Sequence, residues 1–187
     1  MRLRDFPQDI NKNFTKIAVL VEDLVSDVAE QIQSPRTKKT LNTALDMLRP
    51  HFVSLGVRVS VLGPHSVELI LPRKTRNLGA DGEILPGVQI SAGIEAYKLL
   101  WMRNAPEGEF RIQIKNVKVQ FFKAGQGPLR LRGELSEIAR ESKWAELLKN
   151  KRSHHVMSLH VYDSEEQICA EIEIESELYL QEMLDWK

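Results

Sequence analysis

A carboxylate set inside an apolar run is the first sign of chemistry in this sequence. Residues 88–102 carry apolar side chains almost all round, and Glu95 stands among them. Burial disfavours the charged form of a carboxylic acid, so a glutamate in this setting can become strong enough to take a proton near neutral pH. The same residue can instead pair with Lys98, three positions on, along a wetter helix face. Asn77 and Asp81, in the polar stretch 73–83, are able to orient a water or a carbonyl, and both are also ordinary turn formers. Other reactive types are poorly placed. His154 and His155 adjoin the start of a predicted strand, where alternation sends them to opposite faces and away from a shared metal. Cys169 is the single cysteine, falls on the phase of Glu171, Glu173 and Glu175, and has no base beside it. No metal or redox cofactor is implied.

The elements that must position Glu95 follow from hydrophobic periodicity. Ile10, Phe14, Ile17, Val21, Leu24, Val28 and Ile32 recur at steps of four and three, which predicts a helix with one apolar stripe, ended by Ser34 and Pro35. A second helix runs through Leu41, Ala44, Leu45 and Leu48 and closes near Pro50, with Gly56 opening extended chain. Residues 57–61 and 67–71 alternate around a Gly63-Pro64 turn and predict a hairpin. The helix carrying Glu95 comes next, entered through Pro86-Gly87, and its all-round apolar character requires that it be enclosed. Gly93 in its interior predicts packing against backbone, since glycine there costs about 1 kcal/mol relative to alanine. A long strand follows with a bulge near Lys115 and Asn116, because Phe110, Ile112 and Ile114 hold one phase and Val117, Val119 and Phe121 the other. Residues 129–135 alternate again, 136–149 form a charged helix, and two strands close the chain around Met157, Leu159 and Val161 and around Ile168, Ala170, Ile172 and Ile174. An antiparallel sheet wrapped around one helix, an α+β fold, satisfies every segment.

Charge and composition exclude several classes. Lys plus Arg and Asp plus Glu both count 26, so there is no overall attraction to nucleic acid or to an anionic membrane. A single cysteine fits a reducing cytoplasm. The N-terminus lacks the apolar core of a signal peptide, and the most apolar stretch, 84–102, is broken by Glu95, Lys98, Pro86, Gly87 and Gly93, so no membrane span is expected.

The order of elements, with the stretch Gly82-Glu83-Ile84-Leu85-Pro86-Gly87-Val88-Gln89-Ile90-Ser91-Ala92-Gly93-Ile94-Glu95-Ala96, resembles the hotdog fold, and most closely its thioesterase-like branch. That branch includes acyl-CoA thioesterases of the phenylacetate type and bacterial relatives that carry a preceding helix and hairpin. The periodicity makes residues 1–40 a helical extension, and the resemblance implies a hotdog domain over 41–187, assembled as a homodimer or tetramer. It also implies that Gly87 offers its N–H to a thioester oxygen and that Glu95, eight residues on, acts as base or nucleophile. The positive end of the helix suits a developing oxyanion. Arg73, Lys74 and Arg76 would then contact the phosphates of coenzyme A through charge-assisted hydrogen bonds, or lie in a solvated turn.

The chain departs from the family at the helix start, where Pro86-Gly87-Val88 replaces His-Gly-Gly and Asn77 lies ten positions before Gly87. A second register, aligning residues 82–87 with the small-residue motif, puts Ile94 at the acid position and leaves no catalyst. Hydroxyacyl dehydratases resemble the chain at Pro86-Gly87-Val88, but need an upstream histidine and an acid one turn nearer the glycine. Two functions stay open at this stage: hydrolysis of an acyl-CoA or acyl-carrier-protein thioester, and a non-catalytic module that binds an acyl group or assembles with a partner.

Overall fold

The computed structural model describes residues 42–43, 50–104 and 110–180. The striped helix predicted over residues 10–32, and with it the 1–40 extension, lies outside the described residues.

The chain from Pro50 onward folds as α1 (Pro50–Leu55), β1 (Arg58–Leu62), β2 (Ser66–Leu71), a 3-10 turn (Thr75–Asn77), α2 (Pro86–Arg103), β3 (Phe110–Phe121), β4 (Leu129–Glu134), α3 (Glu137–Asn150), β5 (Arg152–Tyr162) and β6 (Ile168–Leu180). The six strands form one antiparallel sheet in the order β1-β2-β4-β5-β6-β3. Strict alternation fixes the register, because a slip by one residue would exchange the buried and exposed faces. Thus Val67, Leu69 and Leu71 of β2, Met157, Leu159 and Val161 of β5, and Ala170, Ile172 and Ile174 of β6 are buried, while Glu171, Glu173 and Glu175 alternate with them toward the other face. The bulge in β3 is present, with the register shifting between Ile114 and Asn116. Lys115 is the extra residue, and it lets Ile112, Ile114, Val117 and Val119 share the inner face.

The sheet curves over α2, whose Tyr97, Leu99, Leu100 and Trp101 are almost completely buried. The α3 helix is capped by Ser136, whose Oγ accepts the Ala139 N–H at 3.2 Å, and it ends at Lys151 in the left-handed region at φ 59°. It closes the end of the core through Leu147 and through Trp144, which meets Trp101 and Phe110 edge-on at 5.3 and 5.5 Å.

Several expectations change. Val61 and Ile168, expected on the inner phase, are exposed and Cys169, expected on the phase of the glutamates, is buried, because register shifts interrupt β1 after Val59 and the start of β6. Of the second predicted helix, Leu41, Ala44, Leu45 and Leu48 lie outside the described residues, and Pro50–Leu55 is helical rather than a stop, ending at Gly56, which takes φ 65° as left-handed helix ends favour. Gly93 packs against a side chain rather than backbone, since a Cβ there would lie 2.9 Å from Ile172 Cδ1. Nor is α2 enclosed on all sides. Gly87 and Ser91 are exposed, and Ile90, Ile94 and Lys98 are only half-buried, so one stripe of the helix is left open by its own sheet. Beside this incomplete cover, β3 forms a sheet edge twelve residues long whose inner-face apolar residues are also half-buried.

Candidate functional site: the open stripe and entrance of the central helix

Pro86 opens α2 with a preset φ and no N–H to lose. Gly87 follows at the second helical position, where an N–H has no carbonyl one turn back to receive it. Space around Gly87 is open, for a Cβ built there meets no atom within 4 Å. Ser91, one turn on, turns its hydroxyl back to the Gly87 carbonyl at 2.8 Å. Glu95 continues the same row of four-residue steps at the border of the open stripe. It is 6% exposed, and its Oε1 receives a hydrogen bond from Lys98 Nζ at 3.2 Å, so the pair foreseen at i, i+3 is formed. Ile94, the acid position of the second register, lies half-buried beside it. Eight residues of helix separate Gly87 from Glu95 by about 12 Å along the axis.

The 73–83 segment serves chiefly to shape the loop that leads into α2. Asn77 is completely buried, and its Nδ2 donates to the carbonyls of Leu55 at 2.8 Å and Pro72 at 2.9 Å. This amide ties α1 to the end of β2, and its Oδ1 is buried without a hydrogen-bond partner among the described residues. Asp81 Oδ1 accepts the Glu83 N–H at 3.0 Å, the local turn bond that aspartate favours. Arg73 donates to the Gly82 carbonyl at 2.7 Å and Arg76 to the Val53 carbonyl at 2.8 Å. Both arginines are exposed, each using one guanidinium nitrogen in the bond named, which leaves their charge at the surface.

Around the helix entrance lies a cleft of about 380 Å³, walled by Ile84, Leu85, Pro86 and Gln89 on one side and by Phe121, Phe122, Lys123 and Leu129 on the other, with Asp81 and Glu83 at its margin. Sequence reasoning did not single out this second wall. It is held by the β5–β6 turn, where Asp163 is buried and accepts the Glu165 and Gln167 N–H groups at 3.0 Å and Lys123 Nζ at 2.8 Å. The bond from Lys123, with those backbone bonds, holds the Asp163 carboxyl down at about 2. Gln89 was also missed, and the signal for it was the one that marked Glu95, a polar residue within an apolar helix.

A third polar group lies deeper, beneath the far half of α2. Tyr97 Oη meets His155 Nδ1 at 3.1 Å and hydrogen-bonds with Ser176 Oγ. Burial pushes the tyrosine up to about 12 and the histidine down to about 4. His154, on the opposite face as alternation requires, reaches Glu175 at 3.1 Å. Cys169 is buried and its thiol is pushed up by burial, away from nucleophilic use. Among the described residues, no cluster of three or more histidine, cysteine, aspartate or glutamate side chains is arranged to hold a metal, and no helix is long and apolar enough to cross a membrane.

An antiparallel sheet curved over one long helix defines the hotdog class of fold, as the sequence resemblance implied. Solved structures share it. A Pseudomonas aeruginosa protein described as a probable thioesterase is 17% identical, with a TM-score of 0.71 over 76% of this chain and 95% of its own. A thioesterase from Haemophilus influenzae is 14% identical, with a TM-score of 0.61 over 79% of this chain and 94% of its own. A Chlorobaculum tepidum protein of unknown function is 10% identical, with a TM-score of 0.66 over 79% and 98%. No family model and no curated protein matches the sequence.

Proposed function

We propose that the protein hydrolyses acyl thioesters and does so as a homodimer in a reducing cytoplasm. The observation that carries this reading is the open stripe of α2, with Gly87 and Ser91 exposed, Glu95 on its border and the long β3 edge beside it. One helix cannot bring Gly87 and Glu95 to the same carbonyl across about 12 Å. Two helices packed antiparallel about a twofold axis can, each supplying the glycine to one site and the glutamate to the other. In that arrangement the Gly87 N–H receives the developing oxyanion, and the Glu95 carboxylate takes a proton from water as its oxygen attacks the thioester carbon. The C–S bond breaks, and the departing thiolate recovers the proton from Glu95, giving a carboxylic acid and a thiol. Arg73 and Arg76, near the helix entrance, suit the phosphates of coenzyme A or of a carrier-protein arm. Residues 41–187 make up the catalytic domain and 1–40 an extension ahead of it. The thioesterases among the structural neighbours support the substrate class.

The Glu95–Lys98 pair favours a second reading, in which the carboxylate is neutralised and the protein only binds acyl groups or assembles with a partner. Acyl-CoA hydrolysis by the wild type and by Glu95→Gln separates the two. The amide keeps the shape and loses the basicity, so turnover should fall at least about a hundredfold with the melting temperature nearly unchanged. Equal rates would remove Glu95 from the mechanism. Gly87→Ala meets no neighbour within its own chain, and its stability should hold or rise by up to about 1 kcal/mol. A fall in turnover without loss of stability then reports a substrate entering that space.

A further inference from the structure

Lys98 stands at the far end of the open stripe of α2, where it is half-buried and gives a hydrogen bond to Glu95 Oε1 at 3.2 Å. A carboxylate held against an ammonium takes up a proton less readily, so this bond works against Glu95 as a base. Proton transfer at Glu95 calls for something that draws Lys98 away.

Two carboxylates ahead of the helix have the charge to do it. Asp81 and Glu83 are exposed at the margin of the cleft around the entrance to α2. Asp81 Oδ1 is taken by the Glu83 N–H, whereas the Glu83 carboxylate enters no hydrogen bond or ion pair among the described residues. Of the cations nearby, Lys123 is committed to Asp163 and Gln167, and Arg73 gives its hydrogen bond to the Gly82 carbonyl. Lys98 cannot reach Glu83 in its own chain, because the helix from Pro86 to Lys98 spans about 18 Å.

A twofold dimer removes that obstacle. When Gly87 of one copy and Glu95 of the other serve one site, the axis crosses the paired helices at Ser91, midway between them. Half-buried Ile94 then lies opposite the partner's Val88, and the small Gly87 and Ser91 let the helices approach. In the same register Lys98 comes opposite the partner's Ile84, next to the partner's Glu83.

We propose that a second copy docks on this stripe and that Lys98 then passes from Glu95 to the partner's Glu83, so that assembly frees the base. The proposal rests on the shared-site reading and names how that site is regulated. A monomer keeps Glu95 tied to Lys98 and lacks the second glycine. The dimer supplies the glycine and withdraws the lysine together.

The test measures association by sedimentation equilibrium, and hydrolysis of decanoyl-coenzyme A, for the wild type, Glu83→Gln, Lys98→Gln and the double variant. Each single change should weaken the dimer about tenfold, since the pair occurs twice, and the second change should add almost nothing to the first. At concentrations where the dimer is complete, Glu83→Gln should lower kcat about tenfold, because Lys98 stays on Glu95. Adding Lys98→Gln should recover most of that loss, which a loop merely disturbed at Glu83 would not allow. Additive effects on association, or a kcat that Glu83→Gln leaves unchanged or Lys98→Gln fails to recover, overturn the passage of Lys98. The thioesterase reading then rests on Glu95→Gln alone. A wild type that stays monomeric at micromolar concentration overturns the shared site and this proposal together. If the dimer forms and hydrolyses nothing, the thioesterase reading fails. Coupling between Glu83 and Lys98 in association then supports the crossing of the lysine to the partner, and its absence overturns it.

Discussion

Buried polar residues mark where this protein departs from a plain apolar core, and His155 gives the clearest consequence for stability. Burial is the main cause holding its imidazole at about 4, below the ordinary 6.5, with the charges of Lys143 and His154 acting in the same direction. As pH falls through 6.5 the unfolded chain takes up a proton at this position, while the folded chain does not until about pH 4. The contribution is therefore complete above 6.5 and is lost as pH falls from there toward 4. Its size is on the order of 3 kcal/mol. His155→Gln removes the titrating group, so its unfolding free energy in urea should fall less between pH 7 and pH 4.5 than that of the wild type. Parallel curves for the two proteins would mean that His155 titrates alike in the folded and unfolded states. Asn77 and Gln89 share the buried setting of His155, and each keeps an amide oxygen without a hydrogen-bond partner among the described residues.

The close fit of α2 on the sheet depends on Gly93. A methyl added there lies 2.9 Å from Ile172 Cδ1, at the end of a side chain in the middle of β6. Alanine improves helix propensity by about 1 kcal/mol, whereas overpacking costs about 1–3 kcal/mol, so Gly93→Ala should be net destabilising by about 1 kcal/mol. Ile172→Val alone loses about 0.5–1.5 kcal/mol by deleting Cδ1. Combined, the two changes should be markedly more stable than their sum, because the atom lost is the one in the way. Thermal unfolding of the four proteins measures this coupling. Strict additivity would show that α2 shifts to accept the methyl.

At the scale of the molecule, the unfinished surface is the β3 edge together with the open stripe of α2. An edge strand of twelve residues presents a row of backbone donors and acceptors that no other described strand pairs, and half-buried Ile112, Ile114, Val117 and Val119 lie along its inner face. A second copy joined edge to edge would extend the sheet and cover both stripes at once. Light scattering should give at least twice the 21.4 kDa chain mass at micromolar concentration. Val117→Lys with Val119→Lys should weaken association at least about a hundredfold, since two charges would have to be buried. It should abolish hydrolysis at the concentrations where the monomer prevails. Hydrolysis by a monomeric variant would remove the shared site.

Among the described residues, the sequence by itself determined the order of the strands and of the two longer helices along the chain, the inner face of the strands apart from Val61 and Ile168, and the bulge at Lys115. These follow from periodicity, a property of neighbours along the chain, and alternation likewise separated His154 from His155. Tertiary structure alone decided what each polar residue is for. Asn77 and Asp81 are of types able to orient a ligand, and only the fold shows their bonds, Asn77 giving both amide protons to Leu55 and Pro72 and Asp81 closing its own turn. Gln89 passed unnoticed because an amide oxygen left without a partner among the described residues is visible only in the folded chain. The same holds for the open stripe of α2. Its composition predicted a helix covered all round, and only the curvature and extent of the sheet leave Gly87, Ser91 and Lys98 uncovered on one side.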